Sequence, residues 1–324
     1  MNGGNGTNSL NARNANNIWT IISSNAGNVA NGSNDFYVGN FSNIQFLNGG
    51  NAADIFNINA SAANIYGNDG NDVFVFNLTN NGSANFIDGG SGTNSLRGRN
   101  QDTTWALSGA NAGSMSTNAT TYVTSFTRLG NLLGGSAMDT LAAVNQANTW
   151  IINDSNEGEL YATAIPAPVD KILFSGMENL SGNQGIDLFT FAANGNITGL
   201  IDGGTSATQN TIKDSLNLSA ITGNLTIELG SQQTAALNVV NIEDITASIG
   251  NQDNHVLIGA SDVAYRWKIT AQNQGTIERA VDQLLETSVN FVNFGDLRGG
   301  TNSDRFDVQG TITKSIDGGS GIDL

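Results

Sequence analysis

Apolar residues come in short bursts along this chain, and polar turns separate them. Ile18 to Ile22, Asp72 to Leu78 and Ile221 to Leu229 show the pattern, each rich in the β-branched and aromatic residues that suit a pleated, half-buried strand. Between the bursts lie Asn-Gly, Gly-Gly, Asp-Gly and Ser-Gly pairs, which supply the positive φ angles of tight corners. Many short strands joined by sharp turns are therefore predicted. One segment departs from this grammar: Thr276 to Val289 sets Ile277, Val281, Leu284 and Leu285 at helical spacing, with Glu278, Arg279, Asp282 and Glu286 between them, and predicts a short amphipathic helix.

Self-comparison exposes a repeat. Trp19, Trp105, Trp150 and Trp267 are each followed by an Asn-x-Gly, at Asn25 and Gly27, Asn111 and Gly113, Asn156 and Gly158, and Asn273 and Gly275. After a stretch of variable length comes an apolar strand with a Phe, then a Leu-x-Gly-(Gly/Asn)-x-x-x-Asp-x-(Phe/Leu) block ending at Asp54 and Phe56, Asp139 and Leu141, Asp187 and Phe189, or Asp304 and Phe306. An Ile-Asp-Gly-Gly block follows three of these, at Ile87 to Gly90, Ile201 to Gly204 and Ile316 to Gly319. The tryptophans are unequally spaced, near multiples of roughly 20 to 23 residues, as though whole coils were added or removed between copies. This predicts an all-β, right-handed parallel β-solenoid of the β-helix or β-roll kind, a single array over 1–324 with units of approximately 1–86, 87–133, 134–200 and 201–324. Asn at equivalent corners is expected to form amide ladders between coils. Two stretches are expected to leave the shaft as loops: Tyr161 to Val169, with Pro166 and Pro168, and Thr276 to Val289. Because Met1 runs straight into the Asn2-Gly3-Gly4 remnant of the motif, the chain is expected to be a segment of a longer protein.

Composition narrows the function classes. Only 12% of residues are charged, but 39% are hydrophobic, enough for a thin core and too many for a disordered chain. Acidic residues outnumber basic ones 28 to 12, the net charge is -16, and the basic residues form no stripe, so nucleic acid is not an expected partner. With 0 cysteines there is no disulfide framework and no Cys-based zinc site, and no apolar run is long enough for a membrane-spanning helix.

The glycine-rich blocks resemble the GGxGxDxU motif of secreted repeats-in-toxin (RTX-type) proteins, U being a large apolar residue. Gly67 to Phe74 (GNDGNDVF) and Gly182 to Phe189 (GNQGIDLF) match closely; Gly49 to Phe56, Gly134 to Leu141 and Gly299 to Phe306 carry Ala or Asn at the fourth position. The fuller unit is similar to the haemagglutinin-like β-strand repeats of very large bacterial surface adhesins, and the resemblance covers nearly the whole chain. In RTX-type proteins tandem turns of this kind bind calcium between coils, through carbonyls and the Asp carboxylate. Only Gly49 and Gly67 have the required tandem spacing, so the resemblance implies calcium at Asp54 and Asp72, with Asp69 nearby. A hydrogen-bonded Asp corner is the alternative; Asn8 and Asn94 stand at the Asp position of two other blocks.

The resemblance implies a structural role, a spacer or stalk segment of a secreted or cell-surface adhesin that serves cell adhesion and biofilm formation. Its partners would be other parts of the same protein and a glycan or cell-surface ligand, and its open sheet edges invite end-to-end self-association. Two alternatives remain. A carbohydrate-binding module would need the four Trp facing outward. A lyase- or epimerase-type β-helix enzyme would need a basic or Tyr/His group beside carboxylates; the one His, His255, lies in a degenerate corner and is expected to be solvated, and Arg266 and Lys268 flank only the last Trp. No catalytic residue is expected.

Overall fold

The structure, a computed structural model, describes residues 1–32, 35–76, 81–117, 120–162, 171–204, 213–230, 237–281 and 284–324, with side chains described outside 280–287. Among them strands account for nearly all regular structure; there is one 3-10 turn, Gln252–Asn254, and no α-helix. Two compact units are formed, Met1–Ala142 with Ala167–Met177, and Ala143–Pro166 with Glu178–Leu324.

Each unit holds two stacks of short strands that the chain visits in turn. In the first, Ser9–Asn11, Phe46–Asn48, Ser61–Tyr66 and Ser83–Asp88 lie parallel in one stack, and Ile55–Ile58, Val73–Phe76, Ser95–Arg97 and Asn131–Leu133 in the other. In the second, Thr226–Leu229, Val256–Ile258, Asp296–Arg298 and Ser315–Asp317 form one parallel run, and Asp187–Phe191, Ser215–Leu218 and Asp244–Ala247 another. The fold is a parallel β-solenoid. Alternation decides what each strand buries: Phe56, Ile58, Phe74 and Phe76 are fully buried. In-register Phe56 and Phe74 stack with ring centroids 5.0 Å apart.

The Trp strands break the parallel rule. Asn17–Ser23 turns back into Ala26–Asn31, which turns again into Phe36–Phe41, all antiparallel. Thr103–Gly109, Ala112–Ser116 and Thr121–Thr127 repeat this meander, as do Tyr265–Ala271, Gln274–Val281 and Leu284–Val292. In the remaining copy Asn148–Asp154 pairs antiparallel with Glu157–Tyr161. The Asn of each Asn-x-Gly is the left-handed residue of the first hairpin turn, with φ of 52° at Asn25, 55° at Asn111 and 54° at Asn156 and Asn273. A bulge adjoins each, as expected when a type I turn is closed by a left-handed residue. The following Gly has no room for a side chain. A Cβ at Gly27, Gly113 or Gly275 would lie 2.1, 2.5 or 2.0 Å from the carbonyl oxygen of Thr20, Ala106 or Lys268, and about as close as 3 Å to the ring of Phe41, Phe126 or Phe291 from the third strand. Trp, Asn, Gly and Phe are thus the grammar of one meander.

Each Trp points inward, fully buried, and its strand pairs parallel with the Asp-x-(Phe/Leu) strand that follows the meander. Trp19–Phe56, Trp150–Phe189 and Trp267–Phe306 stack at 5.4 Å between centroids; Leu141 takes the Phe position opposite Trp105.

The expected helix at Thr276 to Val289 is replaced by the second and third strands of a meander. Ile277 and Val281 lie four apart, a spacing that also places them on one face of a strand, and β-branched Thr276, Ile277 and Val289 favour that reading. Ile277 lies opposite Trp267 and Lys268 pairs with Glu278, so tertiary pairing decides between the two periodicities. Thr276 to Arg279 pair with Tyr265 to Lys268, whereas 284–289 pair only within the hairpin and contact with Asp244–Ala247 begins at Asn290, so the segment is a β-hairpin rather than an irregular loop. Tyr161 closes a strand, and 163–169 of the other expected loop lie outside the described residues. Amide-to-amide contacts such as Asn43 to Asn2 and Asn85 to Asn64 occur, but turn asparagines more often accept a backbone N–H of the next coil, Asn25 from Ala63, Asn156 from Thr198 and Asn273 from Thr313.

Gly275→Ala is expected to cost about 1–3 kcal/mol in urea unfolding, since backbone and the Phe291 ring must both shift. Gly223→Ala, where a Cβ meets nothing within 4 Å, is expected to stay within about 0.5 kcal/mol of the parent.

Candidate functional site

The Asp residues of the glycine-rich blocks sit at strand entrances, and Asp54, Asp72, Asp139 and Asp187 are 0% exposed. Asp54 Oδ2 accepts the Gly50 N–H of its own turn at 2.7 Å, while Oδ1 accepts the N–H of Asn17 at 2.7 Å and its Nδ2 at 2.7 Å. One coil on, Asp72 Oδ1 accepts the N–H of Asp54 at 2.8 Å; beyond that, Asn94 Oδ1 accepts the N–H of Asp72 at 2.8 Å. The second unit repeats the column: Asp187 accepts from Asn148 at 3.0 Å, Asp214 from Asp187 at 2.7 Å, and Glu243 from Asp214 at 2.7 Å. A third run joins Tyr265, Asp304 and Asp323 at 2.8 Å per step. In these three runs the side-chain oxygen of one coil thus satisfies the backbone N–H of the coil before it. The steps span 18, 22, 27, 29 and 19 residues, and 37 to 39 across a meander, a wider range than the spacing of the tryptophans suggests.

Asp214 and Glu243 have no Gly-Gly-x-x-x block before them and are missed by a motif search. The shorter signal, an acid or amide two residues before a large apolar residue, marks them as Asp214-x-Leu216 and Glu243-x-Ile245, and it holds for Asn94-x-Leu96 as well.

Asp54 and Asp72 are indeed consecutive rungs on one face, with Ile55 beside Val73. Asp69 is exposed and bridges to Ser91. Hydrogen bonds compete with calcium for Asp54 and Asp72. Both oxygens of Asp54 and Oδ1 of Asp72 face N–H donors, which a hard cation seeking six or more oxygens would have to displace. Asp72 Oδ2 alone is buried without a partner. Among the described residues no three His, Cys, Asp or Glu side chains gather as a metal site. Asn94 fills the same role as Asp72, so the position requires an acceptor oxygen rather than a charge.

Stacking acids out of water raises their pKa. Burial, and then the neighbouring carboxylates against the backbone N–H bonds, push Asp72 to about 7, Asp187 to about 8 and Asp214 to about 7; Asp54, Glu243 and Asp304 are also raised, chiefly by burial.

The candidate enzymatic and sugar-binding groups are engaged elsewhere. His255 is fully buried rather than solvated, because its ring is taken up by backbone partners: Nδ1 accepts the Leu225 N–H at 3.1 Å, which assigns the proton to Nε2, facing the Ser248 carbonyl at 3.1 Å. Burial lowers its pKa, favouring the neutral ring. All four Trp are in the core and offer no face to a sugar. Arg266 and Lys268 do point outward around Trp267.

No described protein family matches the sequence, and no curated protein does. Among solved structures, the extracellular lipase LipA of Serratia marcescens is similar over 76% of this chain and 37% of its own length, at 15% identity and a TM-score of 0.23. The chain therefore spans well under half of that protein.

A group whose folded-state pKa lies above its unfolded value stabilises fully below the unfolded value and loses that contribution as pH rises through the folded one. The melting temperature is therefore expected to fall as pH rises from about 4 to about 8. Asp187→Asn should flatten this slope and raise the melting temperature at the alkaline end, whereas Asp35→Asn, on the surface and away from the column, should not; identical slopes in both variants would disprove the column's role. In differential scanning calorimetry, calcium or a chelator is expected to leave the melting temperature unmoved. A calcium-dependent rise abolished by Asp72→Asn would restore the metal reading.

Proposed function

We propose that this chain is a structural spacer segment of a secreted or cell-surface bacterial repeat adhesin, holding a binding region away from the cell. The observation that carries the reading is how its reactive groups are used: the buried acids and His255 bond the backbone of neighbouring coils, and the tryptophans fill the core. A repeat in which successive coils are stitched together by side chain to backbone bonds resists separation of coils without needing a ligand. The unequal coil lengths favour the same role, since a spacer tolerates added or lost coils that an active site would not.

The test is replacement in the intact protein on the cell surface. Deleting 1–324 is expected to reduce attachment, and substituting an unrelated rigid repeat of similar length to restore it. Failure of the substitute, with surface display intact, would overturn the spacer reading.

A further inference from the structure

The four Trp copies allow an internal comparison at equivalent outward positions. Each Trp strand and the Asp-x-(Phe/Leu) strand beside it present two outward residues apiece, in fixed register. In the first copy these are Ile18 beside Ile55 and Thr20 beside Asn57; in the second, Thr104 beside Thr140 and Ala106 beside Ala142; in the third, Thr149 beside Leu188 and Ile151 beside Thr190. In the fourth they are Arg266 beside Arg305 and Lys268 beside Asp307. Three copies thus carry small, polar or apolar side chains without charge, and the fourth carries four charges.

Within this quartet the balance is uneven. Arg266 Nε donates to Asp307 Oδ2 at 2.6 Å, and Arg305 Nε donates to Asp307 Oδ1 at 2.9 Å, so two guanidinium groups share one carboxylate. Lys268 is paired separately with Glu278. One positive charge is left over on this face of a chain whose net charge is -16 and which has only 12 basic residues in all. The two arginine side chains remain 43% and 58% exposed, and they border a groove of about 460 Å³ that Ile269 and Val308 also line. Arg266 and Arg305 in turn hold the Asp307 carboxyl below the usual carboxylate range, so it stays charged and keeps both forks in place. A rigid pair of arginines, held by a buried-face scaffold and lacking a full complement of anions, matches the planar or tetrahedral oxyanions that guanidinium forks bind.

We propose that Arg266 and Arg305, organised by Asp307 beside the Lys268–Glu278 pair, form a binding site for an oxyanion group, a carboxylate, sulfate or phosphate carried by an external ligand. The site is grafted onto the outward face of one meander and uses nothing the solenoid needs for its core, because the other three copies fold with neutral residues there. Asp307 then acts as an internal competitor as well as a clamp.

Side-chain Nε–Hε resonances of the arginines in the isotope-labelled chain report occupancy directly. They are to be followed during titration with galacturonate, inorganic sulfate and inorganic phosphate in turn, so that the arms separate the three sources. Saturable shifts of Arg266 and Arg305 with at least one probe are expected. Arg305→Gln should weaken that binding at least about tenfold, and Asp307→Asn should tighten it, because the internal carboxylate no longer competes. Far-UV circular dichroism checks that both variants keep the fold. Absence of saturable shifts with all three probes, or unchanged affinity in a folded Arg305→Gln variant, would overturn the proposal.

Discussion

A strand that begins at a tight corner leaves a backbone N–H pointing into the protein, where no water can reach it. Such a group left unpaired costs free energy comparable to a lost hydrogen bond, and a solenoid faces this cost at every coil. Here the acceptor comes from one coil further on, as an Asp, Asn or Glu oxygen, so satisfaction of each corner depends on the presence and register of its neighbour. A shift of one residue would turn the apolar residues outward and also leave these N–H groups without partners. The column therefore does for register what the aromatic stacks do for burial. It accepts a cost in return: carboxylates are brought together out of water, which is why their pKa values rise and why an amide serves equally well at Asn94.

Much of this was legible in the residues and some was not. The alternation of apolar bursts with Gly and Asn corners marks the strands, and the Trp, Asn-x-Gly and Asp-x-Phe spacing marks the repeat. The inward Trp follows from its alternation with Ile21, two residues on. What the pattern does not reveal is chain direction. Parallel and antiparallel strands share a period of two, so Asn-x-Gly reads as a solenoid corner until the pairing of Trp267 with Ile277 shows it to be a hairpin. Ile277 and Val281 mislead for a related reason, since a separation of four is in phase with both helix and strand. The acids were visible as candidate ligands, but their function as acceptors depends on which N–H lies opposite, and that is set by residues 18 to 39 positions away.

Variation in this chain is confined to places the core does not use. Coil length changes at the corners and in the stretches between strands, while the entrance acid or amide, the large inward apolar residue and the left-handed Asn of the meanders persist. The outward positions of the Trp strand and its neighbour are similarly free: Thr, Ala, Ile, Leu and Asn occupy them in three copies and charged residues in the fourth. Outward chemistry can change there without disturbing the stack beneath.

Two of the meanders display a parity rule. In the first unit Thr121–Thr127 lies parallel to Ser83–Asp88, and Thr103–Gly109 lies parallel to Asp139–Ala142, with Ala112–Ser116 reversed between them. In the second, Leu284–Val292 and Tyr265–Ala271 are likewise parallel to their outer neighbours, Asp244–Ala247 and Arg305–Val308. Three strands replace one, and two reversals cancel. An insert with a single reversal would send every later coil the opposite way, and its columns of acids would meet carbonyls instead of N–H groups. Growth of such an array is thus restricted to whole coils or to strands added in twos, a selection rule imposed by direction rather than by sequence.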